Sequence, residues 1–186
     1  MKKCLLILFG LFLFIKGTVA QSFQGTVSGS IGILNTKIRI QAELPLNSNA
    51  SYGLNINYYL VNWRGPILEP FMRIYGKSQG NREGFFGQFK LIYGNLTTLD
   101  YELYQNYISN RRWSTFGAGI AGGYKFLIKN KFVIEPLIGF RFLTPPVYNY
   151  INDDQYSLGA TIGEGAAWYL TTGLPLDFQL KFGYQF

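Results

Sequence analysis

The sequence contains no histidine and a single cysteine, Cys4. Without histidine, Ser-His and His-Asp catalytic arrangements cannot be built, and the usual zinc and iron ligand sets lose their commonest member. One thiol forms no intramolecular disulfide and no thiolate metal site. Charge is scarce too: Asp, Glu, Lys and Arg make up 15% of the chain, where a water-soluble domain carries about a quarter. After residue 20 there is no apolar run of membrane-helix length, about 20 residues. A chain too poor in charge for a soluble surface, yet without a spanning helix, fits a barrel that distributes its hydrophobicity by alternation.

The start of the chain has three parts. Lys2 and Lys3 precede an apolar run over 4–15, and Thr18-Val19-Ala20 supply the small residues that a signal peptidase reads. This pattern predicts a cleavable secretory signal over 1–20, too short and wrongly flanked for an anchor helix. Cys4 lies too early in the run for lipoprotein acylation. Cleavage after Ala20 would remove Cys4, three lysines and no acids, lowering the formal charge from +7 to +4 and leaving 166 residues. That length fits one domain. The remaining bases are spread along the chain, which gives nucleic-acid binding no support.

Alternation dominates the remainder of the chain. Over 174–186, Leu174, Leu176, Phe178, Leu180, Phe182, Tyr184 and Phe186 share one face, opposite Asp177, Gln179 and Lys181. Over 131–142, Phe132, Ile134, Ile138, Phe140 and Phe142 oppose Glu135 and Arg141. The same split recurs over 36–44 (Lys37, Arg39, Gln41 and Glu43 on the polar face), 51–61, 67–77 (Glu69, Arg73, Lys77), 84–94 (Gln88, Lys90) and 113–127, whose glycine-rich face ends in Lys125. A weaker strand is read over 23–33. Runs of about 10 to 13 residues suffice to cross a bilayer when tilted. A lipocalin-like barrel or a sandwich would instead turn the apolar faces inward and the charges outward.

Strand parity sets the topology. Membrane barrels of this kind have an even strand number, short periplasmic turns and longer outer loops. With Lys129-Asn130-Lys131 as a periplasmic turn, counting back gives turns at 45–50 and 78–83. The outer loops are then 62–66, 95–112 and 143–173. Residues 23–33 become strand one and 174–186 strand eight of an antiparallel up-and-down barrel. Residues 158–171 then cannot be a strand. Ile162, Ala166, Tyr169 and Leu170 lie at helical spacing, and Gly173 could cap a short helix in the fourth loop. The rival count makes 158–171 a strand and 23–33 a periplasmic tail.

Leu180-Lys181-Phe182-Gly183-Tyr184-Gln185-Phe186 resembles the terminal signature of outer-membrane barrels. There the alternating apolar residues and final aromatic, here Leu180, Phe182, Tyr184 and Phe186, are recognised by the barrel-assembly machinery. Phe116-Gly117-Ala118-Gly119, Gly123-Tyr124-Lys125-Phe126 and Phe132-Val133-Ile134-Glu135-Pro136 are similar to a family of small outer-membrane barrels common in Bacteroidetes, of OmpA/OmpX-like architecture. Gly84-Phe85-Phe86-Gly87 and Leu68-Glu69-Pro70 agree with it, whereas 143–173 depart from it. The resemblance implies an eight-stranded barrel in the outer membrane and carries no catalytic motif or cofactor.

An eight-stranded barrel is just wide enough inside for side chains to fill it. Its lumen would hold a mixed polar network of Arg39, Glu43, Glu69, Arg73, Lys90, Glu135, Arg141, Asp177 and Lys181, joined by Lys37, Lys77, Gln88 and Lys125. Acids and bases together suit a salt-bridged plug, and the excess of bases would suit a narrow anion path. Paired acids suffice for glycoside hydrolysis, which makes Glu69 and Glu135 the remaining catalytic candidates. The loops offer Tyr104, Tyr107, Arg111, Arg112 and Trp113, then Tyr148 and Tyr150, as amphipathic contact surface. Arg111-Arg112 could pair with lipopolysaccharide phosphates. Asp153-Asp154 offers oxygen ligands without a spaced calcium loop. The expectation is a non-enzymatic barrel without metal or cofactor. Its partners would be outer-membrane lipid, lipopolysaccharide and, during biogenesis, the assembly machinery.

Overall fold

The structure, a computed structural model, describes residues 25–32, 36–60, 63–76, 82–98, 112–145 and 165–186. Eight strands form one closed antiparallel barrel in sequence order: β1 (Thr26–Gly32), β2 (Lys37–Pro45), β3 (Ala50–Tyr59), β4 (Trp63–Tyr75), β5 (Gly84–Thr98), β6 (Arg112–Ile128), β7 (Phe132–Leu143) and β8 (Leu176–Gln185). Each strand pairs with its sequence neighbour, and β8 returns to β1 to close the ring. Residues 26–32 are therefore strand one, as strand parity requires.

Residues 165–170 form a single helical turn and a half rather than a strand. The Gly173 N–H donates to the Trp168 carbonyl at 2.8 Å, ending the helix at the glycine expected to cap it. A Cβ at Gly173 would lie 2.2 Å from the Trp168 indole nitrogen, so only glycine fits beneath that ring.

Two short turns define one end of the barrel, here the turn end. Between β2 and β3, the Asn47 side-chain oxygen accepts the N–H groups of Asn49 and Ala50 at 2.9 and 2.7 Å, an Asx-type turn. Between β6 and β7, Lys129 and Asn130 both have positive φ, 54° and 57°, and Lys131 N–H donates to the Ile128 carbonyl at 3.2 Å. Two positive φ values match the type I′ geometry that fits the right-handed strand twist. The opposite, loop end carries the β1–β2, β3–β4, β5–β6 and β7–β8 connections.

The expected outer loop at 62–66 is largely strand. Residues 63–66 belong to β4 and not to an outer loop, pairing with Thr98, Thr97 and, across β3, Tyr59 and Tyr58. Trp63 and Gly65 point inward and Arg64 and Pro66 outward, so the alternation continues where both faces have become partly apolar. Gly65 has φ +145°, and its Cα lies so close to β5 that a Cβ would sit 2.3 Å from the Asn95 carbonyl oxygen.

Polarity is inverted relative to a soluble barrel. The outward positions of the strands are occupied by residues such as Ile40, Ile56, Met72, Phe89, Ile120, Phe140 and Phe178, all exposed. Charge at an outward position is found at Arg64, near the loop end of β4. Seven bases and four acids are buried inside.

Candidate functional site: the barrel lumen and its mouth

The lumen holds two separate ion clusters and an aromatic lid. The first cluster sits toward the turn end around Arg73 of β4. Its guanidinium donates to both oxygens of Glu135 (Nη2 to Oε1 at 2.6 Å, Nη1 to Oε2 at 2.8 Å) and to Glu43 at 2.8 Å. Nε donates to Gln88 at 2.7 Å and Nη2 also to Gln41 at 3.2 Å. The planar fork of arginine is suited to this bidentate geometry, which a lysine could not reproduce. The rings of Phe71 and Phe86 lie 4.8 and 4.3 Å from the guanidinium carbon, within cation–π range. Lys181 joins through Glu135 at 3.1 Å and Gln41, and Lys125 through Glu43 at 3.5 Å and Thr26 at 2.9 Å. Ser51 and Tyr75 hydroxyls donate to the remaining oxygen of Glu43.

The second cluster lies toward the loop end around Asp177 and Glu69. Asp177 accepts from Lys90, from Gln179 at 2.6 Å and from Arg39 at 3.5 Å, with Lys37 farther off at 3.9 Å. Arg39 also donates to Asn57. Lys90 reaches Glu69 at 3.0 Å, and Arg141 faces the other Glu69 oxygen at 3.8 Å. Arg141 is a structural tie as well. It donates to Tyr59 at 2.7 Å and to the carbonyls of Thr172 and Leu174 at 2.9 and 3.1 Å, fastening the segment that leads into β8. Among the described residues no ion pair joins the two clusters; their acids and bases are partnered within each.

Above them the helix folds inward. Trp168, fully buried, meets Trp63 and Trp113 edge-on with ring centroids 5.2 and 4.9 Å apart, beside Tyr59, Ile67, Ile92, Leu96 and Leu143. Tyr169 donates to the Leu143 carbonyl at 3.1 Å. This packing lays an apolar lid across the loop end.

The nine residues expected in the lumen network are all buried, four of them in the Arg73 cluster and five in the other, and Lys37 and Lys125 lie with them. Lys77 lies outside the described residues. Leu180, Phe182 and Tyr184 face outward on β8, and Phe186 N–H donates to the Gly25 carbonyl at 2.9 Å. Trp113 is a correction. It is not a loop contact but a lumen residue of β6, paired in register with Leu96 and packed into the lid. Alternation with Thr115 fixes its inward direction. Arg112 opens β6 opposite Thr97. The loop spans 95–112 and 143–173 shrink at their edges, because 95–98 are β5 and 165–173 turn into the mouth. Tyr104, Tyr107, Arg111, Tyr148, Tyr150 and Asp153-Asp154 lie outside the described residues.

Sequence reasoning missed the lid. Alternation with Asn55 and Asn57 puts Tyr59 on the inward face, but Ile67, Leu96 and Trp168 are apolar residues on the inward side that no polar alternation marked. Glu69 and Glu135 fall in different clusters, each already ion-paired. Among the described residues, no group of three His, Cys, Asp or Glu could hold a metal.

No family model matches the chain, and no curated relative does. Among solved structures, the crystal structure of the N-terminal β-barrel domain of Pseudomonas aeruginosa OprF is similar, with a TM-score of 0.58 at 12% identity. The match covers 88% of this chain and 96% of that domain. At that identity the likeness is one of fold, that of a β-barrel.

Proposed function

We propose that this chain is a non-enzymatic barrel of the bacterial outer membrane, exported by the signal over 1–20, with a side-chain-filled lumen. The membrane reading rests on the outward apolar faces, since a belt of exposed Ile, Leu and Phe around the strands needs lipid and not water around it. With the short turns toward the periplasm, the loop end faces the exterior. Assembly would use Leu180, Phe182, Tyr184 and Phe186 as the recognised strand, as in the Bacteroidetes barrels that the sequence resembles.

The observation that carries the functional reading is the cross-paired lumen under an aromatic lid. The four buried acids are held by cations, which leaves none of the described lumen carboxylates as a free general acid or base, and the section is crossed by side chains at two levels. Such a barrel serves as an envelope-structural or surface-interaction protein acting through the β5–β6 and β7–β8 connections, the outer loops read from the sequence at 95–112 and 143–173, with lipopolysaccharide as a partner for Arg111 and Arg112. One observation favours a second reading. The lumen holds three more bases than acids, which suits a narrow anion path. Planar-bilayer recordings of the purified barrel decide between them. The plug predicts no reproducible conductance; steady anion-selective steps would replace it with the channel.

A further inference from the structure

The barrel closes unevenly. β1 and β8 pair where Thr26 to Gly29 face Gln185 to Phe182, and the ladder stops there although both strands continue, β1 to Gly32 and β8 back to Leu176. Beyond that point, among the described residues, β1 pairs with β2 and β8 with β7, but not with each other. The head of β8 is held toward β7: Arg141 N–H donates to the Pro175 carbonyl at 2.8 Å, and its side chain holds Leu174 and Thr172. Two strand edges therefore face each other across a cleft of about 420 Å³.

The cleft has two chemistries. Lys37, Arg39, Asp177 and Gln179 line its inner wall, and Ile31 and Phe178 are among the apolar residues that line it on the outer side. Ile31 is 78% and Phe178 67% exposed, continuous with the apolar belt. The wall carries two cations and one acid, and that acid is shared with Lys90. Lys37 makes only a 3.9 Å contact to it. The Gln179 side-chain oxygen is buried without a hydrogen-bond partner. Unpaired backbone groups at such an edge are costly in hydrocarbon and need polar partners. The aromatic lid packs against β3 to β7, and the cleft lies apart from it, with Lys37 and Arg39 beside the outward-facing Ile31 and Phe178.

The geometry points to a binding site for one phospholipid with an anionic, hydroxyl-bearing headgroup in the cleft between the upper halves of β1 and β8. Its phosphate would sit on Lys37 and Arg39, its hydroxyl would donate to Gln179, and an acyl chain would run along Ile31 and Phe178. Complementary charge fixes the headgroup class, and the apolar rim selects a lipid over a soluble anion. This site rests on the membrane reading proposed above.

The test starts with chain refolded in zwitterionic micelles and checked for faster migration on an unboiled gel. A chain without that shift overturns both the membrane reading and the site; a chain with it isolates the site. Native mass spectrometry then compares phosphatidylglycerol with phosphatidylcholine, each alone and with excess inorganic phosphate. One phosphatidylglycerol per barrel should be retained about tenfold over phosphatidylcholine, undiminished by phosphate. Lys37→Gln with Arg39→Gln should bring the two lipids to parity. Ile31→Trp, outside the ion clusters, should lower retention of both while the gel shift persists, and keeps the test valid if the double variant misfolds. Equal retention by the unaltered chain, retention indifferent to Ile31→Trp, displacement by inorganic phosphate, or a second copy in place of lipid would each overturn the proposal.

Discussion

The two halves of this lumen grow from the same alternating strands and differ in how they close. At the turn end, β1 and β8 are zipped together, and Arg73 grips Glu43 and Glu135 with contacts of 2.6 to 2.8 Å. At the loop end the same two strands part, the Arg39 and Lys37 contacts to Asp177 lengthen to 3.5 and 3.9 Å, and indoles packed edge to face join the ions. A barrel can thus be sealed by polar satisfaction in one section and by apolar packing in the next. The section between them, where neither is complete, is where a ligand can be accommodated.

The contrast between the two ends is most vulnerable at Arg73. Arg73→Met leaves Glu43 and Glu135 buried with fewer cations, and breaking a buried ion cluster from one side costs about 3–5 kcal/mol. Urea titration of the refolded barrel should show that loss, and a midpoint like the unaltered chain's would mean that the cluster is solvated. Next comes the outer face. Ile120→Lys, midway along β6, should cost about 2–4 kcal/mol, whereas Ser114→Lys near its loop end should cost about 0–1. Equal costs in vesicles would remove the membrane depth dependence.

Trp168→Ala tests the lid. Truncating a buried tryptophan is worth about 3 kcal/mol where the site cannot collapse, and here the loss should be local. Amide exchange over 165–173 should accelerate while β4 and β5 keep their protection; global unfolding at the same denaturant would make the lid part of the barrel's core. The smallest effect belongs to Lys37→Met. Its long ion pair and one hydrogen bond to Tyr59 at 3.1 Å predict about 1 kcal/mol. A loss as large as that of Arg73→Met would show the loop-end cluster to be as tightly coupled as the other.

The strand order was legible because one face of nearly every strand is apolar and the other polar along most of its length. Arg39, Glu69, Glu135 and Lys181 could be assigned inward from that phase alone. Helical spacing at Ala166, Tyr169 and Leu170, followed by Gly173, separated the helix from a ninth strand. Trp63 and Trp113 escaped because the inward face near the loop end is apolar, so both faces look alike and the period of two fades. Trp168 escaped for another reason: its burial depends on indoles from β4 and β6, far away in sequence. The parting of β1 from β8 was likewise hidden, since it depends on the register of the first strand against the last and on Arg141 holding Leu174.

Both the membrane reading and the sealed lumen depend on apolar residues facing outward and charges facing inward. That inversion is checked by the migration and solubility of the refolded chain. A barrel that requires detergent or vesicles, and runs faster on an unboiled gel than after boiling, is expected. A detergent-free soluble monomer with no heat-modifiable shift would contradict the inverted barrel.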